Sequence, residues 1–409
     1  MLLNRLIMAN FRNYRSLELD LQPGLTVIAG ENAQGKTNIL EAIYLLATTR
    51  SPRTSSDADF VNWAVAREEA PVTRIAGRGD GKRGPVEVEL AIAGRASSRA
   101  RPTAQPWPDE IEDERPTALS VSKRIRVNGV ARRASDMVGT IPAVFFSTID
   151  MDLICGTPSL RRRYLDLMLS QVDHHYLSAL TRYAKVLTQR NALLKQIQEG
   201  AAAPDELDFW DARIAAEGAV IVGGRARAVQ MLADKAADAH SMLSAERERL
   251  TVRYLPKLAE PKDLDGAPQS AIAEMLTDDM RRQRQRECGA GMTLVGPHRD
   301  DLAVLVGAAE ASTFGSRAQQ RSAALALRLG EAALLHERGG EEPVMLLDDV
   351  LSELDKGRRE AVLKAMTGFN QVLVTTAEPE RFPSCLLEDG RLVNVRAGAI
   401  DPKTNELTP

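Results

Sequence analysis

Residues Gly30-Glu31-Asn32-Ala33-Gln34-Gly35-Lys36-Thr37 spell GxxxxGK[ST]. Each fixed residue type has a chemical reason. The glycines let the backbone wrap closely round phosphate groups, where a β-carbon would intervene. The first N–H groups of a following helix are unpaired and attract anions. The Lys36 ammonium is suited to neutralise the β- and γ-phosphates of a nucleoside triphosphate, and the Thr37 hydroxyl to ligate Mg2+. Gly30, Glu31, Asn32, Ala33, Gln34 and Gly35 then form the cradle.

A second group completes such a site. Val344-Met345-Leu346-Leu347-Asp348-Asp349 is an apolar run ending in two carboxylates. A buried strand delivers its terminal acids to the same sheet edge as a phosphate loop. Asp348 is expected to hold Mg2+ through water, and Asp349 to orient or deprotonate the attacking water. The expected chemistry is nucleotide hydrolysis, with Lys36 and Asp349 catalytic and with Thr37 and Asp348 on the metal. Alone, an apolar run before two Asp also describes an ordinary strand–turn junction. The companion GxxxxGKT motif separates the two readings.

These residues need a strand before the loop and a helix after it. Gly24–Gly30 reads as a short apolar strand. From Thr37 to Thr48 the pattern is helical, with Ile39, Leu40, Ile43, Leu46 and Ala47 on one face. Residues 2–9 and 17–28 read as strands joined by a polar turn, as do 72–92 and 119–130. Residues 94–118, rich in Arg, Pro, Ser and Glu, read as a loop or disordered insertion. Helical patterns run from Ser159 to about 198 and from about 206 to 250, around a break at Pro204-Asp205-Glu206, and again over 270–286. From 293 strands and helices return. The expected class is α/β, a P-loop ATPase head split in sequence by an inserted α-helical lobe. Its expected parts are 1–160, 161–290 and 291–409.

Fifty-three Lys and Arg against 56 Asp and Glu leave a net charge of −3. That excludes a protein coating nucleic acid by bulk charge but leaves a local basic surface open. Arg281, Arg282, Arg284 and Arg286 fall within one short run. They are either a phosphate-contacting stripe or a solvated face paired with Asp278 and Asp279. Arg161–Arg163 carries the same ambiguity. Cys155, Cys288 and Cys385 form no CxxC pair, which argues against a disulfide framework or a structural zinc. No apolar run reaches the ~18–20 residues of a membrane span, and the first segment lacks the apolar core of a signal peptide. A cytoplasmic location is expected.

Further segments carry a family resemblance. Thr313-Phe314-Gly315-Ser316-Arg317-Ala318-Gln319-Gln320-Arg321 resembles the signature motif of ABC-type ATPases, and Ser352-Glu353-Leu354-Asp355 resembles their D-loop. Asn10-Phe11-Arg12-Asn13-Tyr14 resembles the opening of the branch that works on DNA. With Gly296-Pro297-His298-Arg299-Asp300-Asp301-Leu302 and Arg161-Arg162-Arg163-Tyr164-Leu165-Asp166, the chain resembles the RecF family of bacterial recombination mediators from about residue 2 to 395.

The resemblance implies heads that pair head-to-tail around two ATP molecules. Ser316 would then bond the γ-phosphate held by Lys36 of a second copy, with Gln320 and Arg321 at the seam and Asp355 facing the same nucleotide. Arg12 and Asn13 would lie near the base, sugar or phosphates. Thr376 takes the place of a switch histidine. The family further implies a weak DNA-stimulated ATPase acting as a switch in DNA replication, repair and the SOS response. ATP would close a homodimer on duplex DNA at gaps or junctions and help load RecA with RecO and RecR. The alternative is the nucleotide-binding subunit of an ABC transporter, whose phosphate loop and signature lie much closer together in sequence. Two departures stand out. Ala318 replaces a usual glycine, which could crowd the facing phosphate or forbid a positive φ. Phe145–Asp150 also differs from the expected segment, so no metal-sensing role is assigned to Asp150 or Asp152.

Overall fold

The computed structural model describes residues 1–66, 70–96, 119–244, 248–258, 264, 266–382 and 390–401. In chain order the first elements are β1 (Leu2–Phe11), β2 (Tyr14–Asp20), β3 (Gly24–Ala29), α1 (Lys36–Thr48), β4 (Val72–Gly81), β5 (Gly84–Ala96), β6 (Leu119–Val127), β7 (Val130–Arg132), α2 (Ala134–Met137) and β8 (Ala143–Ser147). Next come α3 (Met151–Cys155), α4 (Pro158–Val172), α5 (His174–Gln198), α6 (Leu207–Ser244), β9 (Leu250–Leu255), α7 (Gln269–Ala290), β10 (Asp301–Val306), β11 (Ala309–Glu310), α8 (Ala311–Phe314) and α9 (Arg317–Gly339). The last are β12 (Val344–Asp348), α10 (Lys356–Met366), β13 (Gln371–Thr376), β14 (Arg391–Arg396) and β15 (Ala399–Ile400). Of the expected insertion at 94–118, residues 94–96 close β5, and 97–118 lie outside the described residues.

The chain divides into two compact units: Met1–Ser147 with Glu341–Pro409, and Thr148–Gly340. The expected boundaries at 160/161 and 290/291 both fall inside the second unit.

The first unit holds two six-stranded sheets. One is antiparallel, in the order β2-β1-β4-β5-β6-β7. The other, β15-β14-β3-β13-β12-β8, is parallel from β14 to β8. Residues 17–28 are not one strand. Pro23 has no N–H to donate and Gly24 takes φ +85°, so the chain leaves the first sheet after β2 and enters the second as β3. Helix α1 packs against strands of both sheets. Leu3, Leu6, Ile75 and Val88 from one sheet and Phe145, Leu346 and Leu373 from the other share a single core with Ile39, Leu40, Ile43 and Leu46. The helix is therefore apolar nearly all round, not along one face as expected: Ala42, Tyr44 and Leu45 are buried too.

The second unit is helical around a small antiparallel sheet, β11-β10-β9. The helix expected to reach 250 ends at Ser244, and Leu250–Leu255 pairs with β10 as a strand. Its alternating β-branched and aromatic residues Thr251, Val252 and Tyr254 favour that state. Helix α6 packs on α5, α7 and α9. Gly330 of α9 lies so close to the Ala236 backbone that an added β-carbon would meet it at 3.0 Å. That close approach places α9 in this unit.

Two fully buried arginines knit its interior. Arg190 donates to Asp211 (2.7 Å), Glu287 (2.6 Å) and Thr293 (2.8 Å). Arg225 donates to Asp166 (2.8 Å), Asp300 (3.2 Å) and the Pro297 carbonyl (2.7 Å). Removing one member would leave a buried charge uncompensated, so each cluster holds its helices in one arrangement.

Candidate active site

Parallel pairing brings the chemistry to one sheet edge. Ala29 lies opposite Thr376, Ile28 opposite Thr375, and Thr375 opposite Asp348. The loop after β3, the end of β13 and the acids of β12 therefore meet at the carboxyl ends of their strands, where α/β sheets bind ligands. The glycines are required by geometry. Gly30 has φ +153°, and an added β-carbon would stand 2.4 Å from the Val395 carbonyl oxygen of neighbouring β14. Gly35 has φ +110°, and its β-carbon would strike the Asn13 side chain.

Lys36 is buried and donates to the carbonyls of Gly30 (2.6 Å) and Glu31 (2.8 Å). Burial lowers its pKa, opposed by the charges of Asp349 and Asp348. Thr37 Oγ1 donates to Asp348 Oδ1 at 2.7 Å, and Thr375 Oγ1 donates to the same oxygen at 2.8 Å. Burial raises the Asp348 pKa, and the two hydroxyls counter it. Thr375 Oγ1 also accepts the Asp349 N–H at 3.0 Å, which fixes Asp349 in a left-handed conformation (φ +53°). Thr376 accepts the Glu378 N–H at 3.0 Å. Among the described residues no group of three or more His, Cys, Asp or Glu could hold a metal. Mg2+ does not need one, because it commonly takes one or two protein oxygens and completes its shell with phosphates and water. The Thr37 hydroxyl and the Asp348 carboxylate, side by side next to Lys36, fit that donor set.

The turn between β1 and β2 braces the loop from outside. Asn13 donates to the Gln34 carbonyl (2.9 Å) and accepts from Asn38 (2.7 Å), and the Tyr14 hydroxyl donates to the Gly35 carbonyl (3.1 Å). Arg12, expected near the nucleotide, has its guanidinium on Glu41 of α1 through two bonds of 2.7 and 3.0 Å. It also donates to the Asp59 carbonyl (2.8 Å) and lies 5.3 Å from the Phe60 ring centre. Glu41 is fully buried and accepts the Ser51 hydroxyl as well. The sequence reading did not single out Glu41, Ser51 or Phe60. A lone acid inside an apolar helix was the available signal.

Ser316 and Gln320 stand in the second unit. Ser316 is exposed at the start of α9, where its hydroxyl accepts the Gln319 N–H (3.2 Å) and the Gln319 side chain accepts the Ser316 N–H (2.7 Å). This reciprocal capping box explains serine at that position. Gln320 turns inward to the Ala311 carbonyl (2.9 Å). Ala318 is helical, without positive φ, so the backbone reason for glycine does not arise. Asp355 is exposed in the first unit and caps α10 through the Arg358 N–H (2.9 Å). Asp150 pairs with Arg328 (2.6 Å).

The arginine runs are largely committed. Arg161 makes a two-bond pair with Asp301 and Arg162 donates to the Asp300 carbonyl. Arg281 and Arg282 pair with Asp278 and Asp279, and Arg284 reaches Asp208 and Asp211. For α7 the paired-face reading fits the contacts.

A phosphate loop after one parallel strand, an acid pair after another and a serine-capped signature helix define an ABC-type ATPase head. The family model "RecF/RecN/SMC N terminal domain" matches residues 2–397. A solved Smc head bound to the C-terminal winged-helix domain of ScpA shares the fold alone (TM-score 0.52, 13% identity, covering 98% of this chain and 97% of that one). The chain belongs to the RecF family. The DNA replication and repair protein RecF of Chloroflexus aurantiacus is 39% identical over 409 residues, covering 98% of this chain and 99% of the relative. A solved structure described as the recombination mediator protein RecF with ATP, in the RecFOR pathway, is 30% identical with a TM-score of 0.82, covering 98% of this chain and 97% of that one.

Proposed function

We propose that this chain is an ATP-dependent DNA-binding protein of replication and recombinational repair, working as an ATP-gated switch. The observation that carries the reading is the convergence of Lys36, Thr37, Asp348 and Asp349 on one sheet edge. The names of its relatives, and the ATP in the RecF structure, support the substrate and the process.

On this reading an entering triphosphate takes the Lys36 ammonium from the carbonyls of Gly30 and Glu31. The loop N–H groups and the start of α1 bind its phosphates. Thr37 and Asp348 hold Mg2+, which screens charge on the transferring phosphoryl group when bound. Asp349 orients the attacking water. Ser316 of a second copy completes the site, so ATP closes a head-to-tail dimer and slow hydrolysis reopens it. The closed dimer grips duplex DNA at gaps or junctions and acts with RecO and RecR in loading RecA in the cytoplasm.

The test uses two variants. Lys36→Met should lose ATP binding. Asp349→Asn should bind ATP, hydrolyse it far more slowly and sediment as a dimer. Normal turnover by Lys36→Met, or monomeric Asp349→Asn at saturating ATP, would overturn the proposal.

A further inference from the structure

Four arginines that make no salt bridge among the described residues sit close together on the β6–β7 hairpin and just after it. Between Leu119 and Ser135 the chain carries Lys123, Arg124, Arg126, Arg132 and Arg133 and no acid. Asn128 and Gly129 both take positive φ (+51° and +75°) and close a two-residue turn, so Val127 faces Val130 and Arg126 faces Ala131. Lys123 points the other way, to Asp57 at 2.6 Å and the Thr49 carbonyl. The four arginines are exposed.

Their surroundings neutralise them only in part, the Glu89 carboxylate acting on the Arg126 charge as well as on Arg74. Arg126 lies opposite Glu89 of β5, but that carboxylate is already bonded to Arg74 at 2.8 Å. Glu87 is paired with Arg78. Asp136, next along the chain, accepts the Arg133 backbone N–H and the Ser135 hydroxyl, not a guanidinium. Among the described residues no salt bridge holds Arg124, Arg126, Arg132 or Arg133. Positions two apart on a strand lie on one face about 6.7 Å apart. Arg124 and Arg126 therefore form a short cationic row on one face; Arg132, opposite Ile125, stands on the other face of the edge strand β7, and Arg133 follows it at the start of α2. Guanidinium groups match phosphate oxygens through paired N–H donors, and such contacts position a protein on a duplex without reading its sequence.

We infer that the β6–β7 hairpin is a contact surface for the sugar–phosphate backbone of DNA, with Arg124, Arg126, Arg132 and Arg133 as phosphate contacts. This deepens the DNA-binding reading above and rests on it. The surface is sequence-independent and acts through local charge on a chain of net negative charge.

The experiment is a fluorescence-anisotropy titration of mixed-sequence duplex DNA with the full chain and ATP, across a salt series. It compares the wild type, Arg124→Gln/Arg126→Gln/Arg132→Gln, and Arg281→Gln/Arg282→Gln on α7. Each lost phosphate contact flattens the log–log salt slope by about 0.9, so the hairpin variant should lose about 2.7 and bind at least about tenfold more weakly at low salt. The α7 variant should follow the wild type. A shared thermal unfolding midpoint separates lost contacts from lost fold. Wild-type slope and affinity in the hairpin variant would overturn the surface alone, leaving the arginines as guards of an exposed sheet edge. Absence of DNA binding by the wild type itself would overturn the underlying reading as well.

Discussion

Replacing Arg12 with alanine separates two roles for the first arginine of the chain's opening motif. If its guanidinium served the nucleotide, the variant would keep its stability and lose ATP affinity. The contacts point elsewhere. The Arg12 side chain is 18% exposed and Glu41 is 0% exposed, so the pair is largely withdrawn from water. Leaving a buried carboxylate without its cation costs about 3–5 kcal/mol. Glu41 would keep the Ser51 hydroxyl and the Arg53 cation at 3.9 Å, which favours the lower end. The lost bond to the Asp59 carbonyl adds about 1 kcal/mol. Alanine inherits the same left-handed backbone (φ +53°), so strain barely changes. The net expectation is about 4 kcal/mol, or a thermal shift of roughly 8–16 °C for a unit of this size. Calorimetry without nucleotide is the assay, because it removes any contribution from binding. Arg12→Ala/Glu41→Gln should recover part of the loss, since the stranded charge is gone. If Arg12→Ala unfolds within about 0.5 kcal/mol of the wild type, a surface-like magnitude, the buttress assignment is wrong.

Two further outcomes follow from the same contacts. Gly30→Ala should cost about 2–3 kcal/mol and abolish ATP binding, because its β-carbon meets the Val395 carbonyl at 2.4 Å at φ +153°; retained affinity in an equilibrium-dialysis measurement would refute it. His298 is buried between the Tyr183 hydroxyl (2.6 Å) and the Thr293 carbonyl (3.1 Å), and burial pushes its pKa down from 6.5 to about 4. The unfolded chain then binds the extra proton first, so its contribution is present above pH ~6.5 and is lost as pH falls towards ~4, about 3 kcal/mol in all. Urea unfolding of His298→Gln should show a flatter pH dependence than the wild type across that window, and parallel curves would rule it out. Glu331, pushed up to about 6 by burial, works in the opposite direction in both proteins and drops out of the comparison.

The phosphate loop and the acid-ended strand were legible because their chemistry dictates backbone type. Only glycine suits the positions held by Gly30 and Gly35, and Val344-Met345-Leu346-Leu347 closed by two acids is too short a run for a buried helix. What escaped depends on contacts far apart in sequence. Helix α1 shows its second apolar face only when a second sheet covers it. Leu250–Leu255 becomes a strand because β10 lies beside it. The choice of Arg12 for Glu41, across the β1–β2 turn, leaves no mark in composition or spacing. Nor does the membership of α9, which follows from how closely Gly330 approaches Ala236.

The arginines make the same point about charge. A net −3 treats all of them alike, yet the fold places them in very different settings. Arg12, Arg190 and Arg225 are spent inside, on buried acids. Arg281, Arg282 and Arg284 look like a DNA stripe in sequence, but each has an acid beside it. Such pairs contribute little stability, and they also offer little field to a phosphate, because the counter-charge is already in place. Arg124, Arg126, Arg132 and Arg133 form a cluster without salt bridges among the described residues, on or just after a hairpin whose own strands carry no acid. Attraction for a polyanion depends on uncompensated local charge within about a Debye length, ~10 Å at moderate salt. On the proposed reading, a chain of net negative charge would hold DNA through local positive charge of this kind. The proposed contact would then be steeply salt-dependent, and doubling the number of hairpins in the proposed ATP-closed dimer would roughly double that slope.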